Sequence, residues 1–130
     1  MILLDENIIR SQRELLQLKR ISFRQIGINI GKSGTKDEHI VPFLLKQSRP
    51  TFFTLDVNFF RPQLRHKHYC LVYLDVERKQ VAEFIERFLK HPVFKTKAQR
   101  LGTVSKIMPS GISIWKMNAA SAVQYLWRQK

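Results

Sequence analysis

The chain is short of cysteine, of long apolar runs and, in its second half, of acid. A single cysteine, Cys70, among 130 residues excludes an internal disulfide and suits a reducing, cytoplasmic setting. No apolar run exceeds a few residues, so no membrane span is expected, and no apolar signal-peptide core stands at the N-terminus. Glycine and proline number only five each, which excludes collagen-like and linker-like chains. What is present is a core-forming composition, 44% hydrophobic and 11% aromatic, in a length that suits one domain.

Charge is distributed unevenly. Twenty-three Lys and Arg face ten Asp and Glu, a net charge of +13. Residues 1–56 hold nine bases and six acids, residues 57–130 fourteen and four, and no acid follows Glu86. Such a surface attracts polyanions: nucleic acid, anionic lipid or an acidic partner protein.

Met1-Ile-Leu-Leu-Asp5 reads as a buried parallel strand ending in acid, and Ile8–Arg20 as an amphipathic helix. Alternation from Ile21 to Ile30 predicts a second strand, and Gly31–Gly34 a turn. Thr35-Lys-Asp-Glu38 has the spacing of a capping box for a helix running to about Gln47, with Pro42 inside it predicting a kink or a later start. Thr51–Asp56 is a third apolar strand ending in acid, Asn58–Arg65 a loop, and Tyr69–Asp75 a fourth buried strand. Val81, Phe84, Ile85, Phe88 and Leu89 mark one face of a helix over Arg78–Lys90, stopped by His91-Pro92. Thr103–Met108 and Ile112–Met117 read as a hairpin, and Ala119–Trp127 as a terminal helix. The order of elements indicates an α/β domain with a mostly parallel sheet.

In open α/β sheets ligands bind at the carboxyl ends of the strands. Asp5 and Asp56 end two strands and Asp37 begins a helix, which would gather all three at one edge. Converging carboxylates repel, and a divalent cation such as Mg²⁺ or Mn²⁺ relieves that repulsion through hard oxygen ligands. Each acid also has a plainer reading: Asp5 and Asp56 as helix caps, Glu38 as the capping-box acid and Glu6 as a solvated side chain.

Met1-Ile-Leu-Leu-Asp5-Glu6-Asn7, Asp37-Glu38-His39-Ile40 and Thr54-Leu-Asp56-Val-Asn58-Phe59 resemble, in order and spacing, the PIN-like family of small toxin components. The likeness covers about the first 60 residues and weakens after them. It implies a single three-layer α/β/α PIN-like (Rossmann-like) domain over 1–130, with a C-terminal hairpin and helix from about 101 as an appendage. It also implies Mg²⁺- or Mn²⁺-dependent hydrolysis of RNA phosphodiesters, with a small antitoxin protein blocking the site. Asp5, Asp37 and Asp56 match the family's acids and would serve as catalytic residues and metal ligands. Asn58 stands where the family motif carries a second Asp, offering a neutral carbonyl oxygen in place of a charge. Glu6, Glu38 or Asp75 would then be auxiliary acids. The partners implied are RNA, the antitoxin and, in a homodimer, a second copy of the chain; a membrane is not among them.

Lys90, Lys95, Lys97, Arg100 and Lys106 are the candidates for phosphate contact, against the alternative of a solvated surface. His66-Lys-His68 reads as a solvated basic turn rather than half a metal site, and Cys70 as a small core residue rather than a nucleophile. Gly31–Gly34 lacks the full phosphate-loop pattern. Phe59 reads as core and Phe60 as core or a platform for a base, while Trp115, Tyr125 and Trp127 pack the C-terminal section onto the sheet.

Two other functions fit parts of the pattern. A non-catalytic PIN-like module would bind RNA or protein without cutting it. A phospho-acceptor receiver domain shares the acids after the first and third strands and a late lysine, but needs a helix where only a short stretch follows Asp56.

Overall fold

The computed structural model describes residues 1–127. Its eleven regular elements, apart from single 3₁₀ turns, are β1 (Ile2–Leu4), α1 (Arg10–Leu18), β2 (Arg24–Gln25), α2 (Asp37–Leu45), β3 (Thr51–Thr54), β4 (Cys70–Leu74), α3 (Val81–Lys90), α4 (Lys97–Arg100), β5 (Val104–Met108), β6 (Gly111–Trp115) and β7 (Val123–Leu126). The strands form one seven-stranded sheet in the order β2-β1-β3-β4-β5-β6-β7. Pairings from β2 to β5 are parallel, and β6 and β7 add antiparallel strands at the far side.

Both faces are covered, which is why the central strands read as unbroken apolar runs. Leu4, Phe53, Val72 and Ile107 lie on one face, under Leu16 of α1 and Phe84, Ile85 and Phe88 of α3. Leu3, Phe52, Leu71 and Val104 lie on the other, under Ile40 and Leu44 of α2 and Phe59. Helices on both faces of the sheet make a three-layer α/β/α arrangement. α1 carries the chain from β1 outward to β2, whereas α3 carries it from β4 in the opposite direction, yet both lie on the same face. Two parallel crossovers of opposite hand result, one of which departs from the usual right-handed rule. Contacts between the two helices tie that face together: Gln12 Oε1 accepts the Ala82 amide at 3.0 Å, and Lys19 Nζ meets Glu86 at 2.9 Å.

Three expectations from local pattern are corrected. The strand over Ile21–Ile30 shrinks to Arg24–Gln25. Gly27 turns the backbone at φ +84°, and Asn29 Oδ1 accepts the Gln25 amide, so Ile28 is left exposed despite its place in the alternation. The capping box is not formed. Lys36 occupies the N-cap, and Thr35 donates instead to the Lys32 carbonyl at 2.5 Å; α2 starts at Asp37 and passes through Pro42 without a later start. The terminal helix over Ala119–Trp127 is replaced by β7, which pairs along β6. Tyr125 and Trp127 still pack on the sheet, the latter donating Nε1–H to the Met108 carbonyl at 2.8 Å. The helix after β4 begins with a 3₁₀ turn at Arg78–Gln80 before α3 proper.

No helix among the described residues is long and apolar enough to cross a membrane.

Candidate functional site

After β1 the chain leaves toward the α1 face, and after β3 it leaves toward the α2 face, where Phe59 is buried. Divergence of this kind opens a crevice beyond the carboxyl ends of adjacent strands. Asp5 and Asp56 stand at its two sides. The Asp5 amide extends the β1–β3 ladder by bonding the Phe53 carbonyl at 2.9 Å. Thr54, fully buried at the end of β3, joins the two acids: its hydroxyl donates to Asp5 Oδ2 at 2.6 Å and accepts the Asp56 amide at 3.0 Å. Asp5 Oδ1 accepts the Glu6 amide at 2.7 Å. Asp56 Oδ1 caps the following 3₁₀ turn by accepting the Asn58 amide at 2.9 Å, and Phe59 anchors that turn edge-on against Phe52, with centroids 5.5 Å apart.

Asp37 arrives from across the sheet as the first residue of α2. The loop before it is held by Glu6, whose carboxylate accepts the Gly34 amide at 2.7 Å and the Ser33 hydroxyl. Those bonds, the Ser33 hydroxyl first, hold the Glu6 carboxyl below its ordinary value, so it remains ionised. Asp5 is raised from the usual carboxylate range, chiefly by burial, against the lowering pull of Thr54 and the Glu6 amide and with the charges of Asp56 and Glu6 adding to the rise. Asp37 is also raised, first by a hydrogen bond with Asp56, then by burial and by the charges of Asp56 and Asp5. Carboxyls raised in part by their neighbours' charge mark a concentration of negative charge at this edge.

Next to these acids, strand register sets Thr54 beside Tyr73, Tyr73 beside Lys106 and Lys106 beside Ser113. All four share the α2 face, one pleat beyond the apolar row Phe52, Leu71, Val104 and Trp115. The Tyr73 phenol is raised by burial first and by the charge of Asp75 second. Lys106 Nζ lies 3.9 Å from Asp75 Oδ2 and 5.9 Å from the Phe60 ring centroid.

The remaining sequence candidates separate. Asn58 meets Asp56 through its backbone amide, and Glu38 is exposed in the first turn of α2. Arg100 is buried and committed to Thr51 Oγ1 and the Phe94 carbonyl, both at 3.0 Å, at the start of β3 and so away from the acids. Lys97 shares that short helix, Lys90 pairs with Glu86 at 3.1 Å, and Lys95 is exposed. Lys106 is the one of the five that the ladder sets beside Tyr73. His68 Nε2 bonds the Gln47 carbonyl at 2.7 Å and His66 stacks on Tyr69. Burial pushes the Cys70 thiol up to about 11, which leaves it a protonated core group.

Among the described residues no three His, Cys, Asp or Glu side chains stand in ligating geometry. The donor chemistry of Asp5, Asp37 and Asp56 nonetheless suits a hard divalent cation: these are carboxylate oxygens whose mutual repulsion such an ion relieves. Between β3 and β4 the chain makes two 3₁₀ turns, Val57–Phe59 and Pro62–Leu64, and not the α-helix a receiver domain carries there. A hollow of about 1080 Å³, lined by Lys90, His91, Pro109 and Trp127 among others, contains none of the strand-end acids.

Sequence reading missed Thr54 and Tyr73. A threonine two residues before Asp56 and a tyrosine two before Asp75 were the available signals, since residues two apart in a strand share a face. The chain was compared with protein-family models, with curated proteins and with solved structures, and it matches none of them.

Proposed function

We propose that the protein is a metal-dependent ribonuclease of the PIN-like kind, the toxin of a toxin–antitoxin pair. The observation that carries the reading is the buried Thr54 hydroxyl, which joins Asp5 to Asp56 where the chain leaves β1 and β3 on opposite faces. Asp37, from the motif that opens α2, is raised in part by the charges of both acids, which supports counting it with them.

Asp5, Asp37 and Asp56 would hold Mg²⁺ or Mn²⁺, with the Asn58 carbonyl as an auxiliary ligand. When bound, such an ion polarises a phosphoryl oxygen and acidifies a water. The chain's own residues do the positioning. Thr54 orients Asp5 and fixes the backbone of Asp56, and Glu6 fixes the loop that delivers Asp37. Glu6 is therefore a positioning acid and not a spare ligand. Asp5 and Asp37 hold their protons above the ordinary carboxylate range, and a cation would compete with those protons, so metal affinity should rise with pH. The uncompensated bases after Glu86 suit an RNA backbone, and an acidic antitoxin segment suits the same charge.

The test is Mn²⁺-dependent cleavage of RNA by wild type, Asp5→Asn and Asp56→Asn. Activity should fall at least roughly a hundredfold in both variants. Equal cleavage by all three overturns the reading. A non-catalytic RNA-binding module is the second reading, favoured by Asn58 and by the absence of a ligating trio among the described residues. Calorimetric titration with Mn²⁺ separates the two, because a module of that kind takes up no metal at Asp5.

A further inference from the structure

We infer that Lys106 and Phe60 form a nucleotide subsite beside the acid cluster, made for single-stranded RNA: the ammonium takes a phosphate and the ring takes an unpaired base. This rests on the ribonuclease reading for its substrate and deepens it.

Lys106 lies two strands from Thr54 in the same cross-strand row, roughly 10 Å away at ordinary strand spacing. That row is the point at which the α2 face changes from apolar to polar. Val104, one pleat below Lys106, is fully buried, whereas the Lys106 side chain is 31% exposed. The lysine stem is thus packed while its head stands free at the carboxyl end, next to the crevice.

The head has only loose partners. Asp75 is 3.9 Å away with its side chain 52% exposed, a solvent-screened pair at the limit of ion-pair distance. Phe60, half-buried, lies under the ammonium at 5.9 Å. An incoming phosphate replaces Asp75 at little cost, and the ring uncovered by that shift offers a stacking face. A base held in a duplex has no free face, so this geometry selects an unpaired strand. Anchored at Lys106, the backbone passes along the row toward Thr54 and the acids.

The test uses a fluorescein-labelled single-stranded oligoribonucleotide and its annealed duplex, with anisotropy read in EDTA. Wild type should bind the single strand more tightly than the duplex. Lys106→Met should weaken single-strand binding about tenfold and lower the slope of log affinity against log salt by about one, and Lys106→Arg should restore most of it. Phe60→Leu should weaken binding to the single strand and leave the duplex unchanged. Lys67→Met, an exposed lysine before β4, should bind as wild type, and circular dichroism checks that each variant folds. Equal binding by Lys106→Met and wild type, equal affinity for strand and duplex, or no binding by wild type each overturns the inference. The two readings fail separately. The predicted binding pattern without Mn²⁺-dependent cleavage keeps the subsite and removes the nuclease. Cleavage lost in Asp5→Asn, with binding indifferent to Lys106, keeps the nuclease and removes the subsite.

Discussion

Thr54 shows how much of the site depends on one hydroxyl. It is buried, donates to Asp5 and accepts from Asp56, so valine at this position keeps the shape and strands both partners. Thr54→Val should cost about 1–3 kcal/mol in urea denaturation. It should also move Asp5 further up from the ordinary carboxylate range, because the Thr54 bond is the largest influence lowering it; carbon-detected NMR titration of the carboxyl checks this. Cys70 should behave oppositely to a catalytic thiol: at pH 8 the native protein should not react with a thiol-specific disulfide reagent, and urea should expose it. Asp5 and Asp56 were legible in sequence because an acid closing an apolar run marks a strand end. The role of Thr54 was not, since a buried threonine in a strand looks the same whether or not its hydroxyl bridges two acids. Glu6 was legible as an acid but not as the anchor of Ser33 and Gly34, which lie 27 and 28 residues away.

At the scale of elements, local pattern succeeded where one face decides and failed where a neighbouring strand does. The period of α3 is strong enough that four of the five residues the sequence marks, Val81, Phe84, Ile85 and Phe88, are buried; Leu89 is half-buried, and Ala82 is buried unmarked. The segment Ala119–Trp127, with three alanines, favours a helix by propensity, yet β6 offers an open row of backbone groups and β7 fills it. Gly111 permits this pairing: a Cβ there would come within 2.5 Å of the Tyr125 carbonyl oxygen. Gly111→Ala should therefore destabilise by about 1–3 kcal/mol and loosen β7 first, read as urea denaturation followed through Trp127 fluorescence. α2 carries a different strain. Pro42 withdraws an amide from the helix, so Pro42→Ala at this exposed position should stabilise by roughly 1–3 kcal/mol in the same assay.

The whole molecule adds a dependence on pH that runs against its net charge. Asp5 and Asp37 bind protons more tightly folded than unfolded, so their contribution is present below the ordinary carboxylate range. It is lost as pH rises through their raised folded values. Glu6 and Glu86 are lowered, the first by Ser33 and Gly34 and the second by Lys19 and Lys90. Their contribution is lost as pH falls through the lowered values. Metal-free protein should thus lose stability as pH rises from the ordinary carboxylate range through the raised values of Asp5 and Asp37. Asp37→Asn should flatten that decline and stabilise by a few tenths of a kcal/mol at pH 7, small because Asp37 is exposed and screened. Urea midpoints across the pH range measure both.

The class of the fold, the order of most elements and the two acids that close β1 and β3 are legible in the amino-acid sequence. These follow from periodicity and from what can end a buried strand, both of which act over a few residues. It took the folded chain to show that Thr54 joins Asp5 to Asp56, that Arg100 is internal, and that Lys106 stands in the same cross-strand row as Thr54. Each of these is a pairing between segments tens of residues apart, set by strand order and register, and register leaves no mark on the local pattern of either partner. The scarcity of acid in the second half, first visible as a charge balance, leaves Lys106 in the row beside the carboxyl edge.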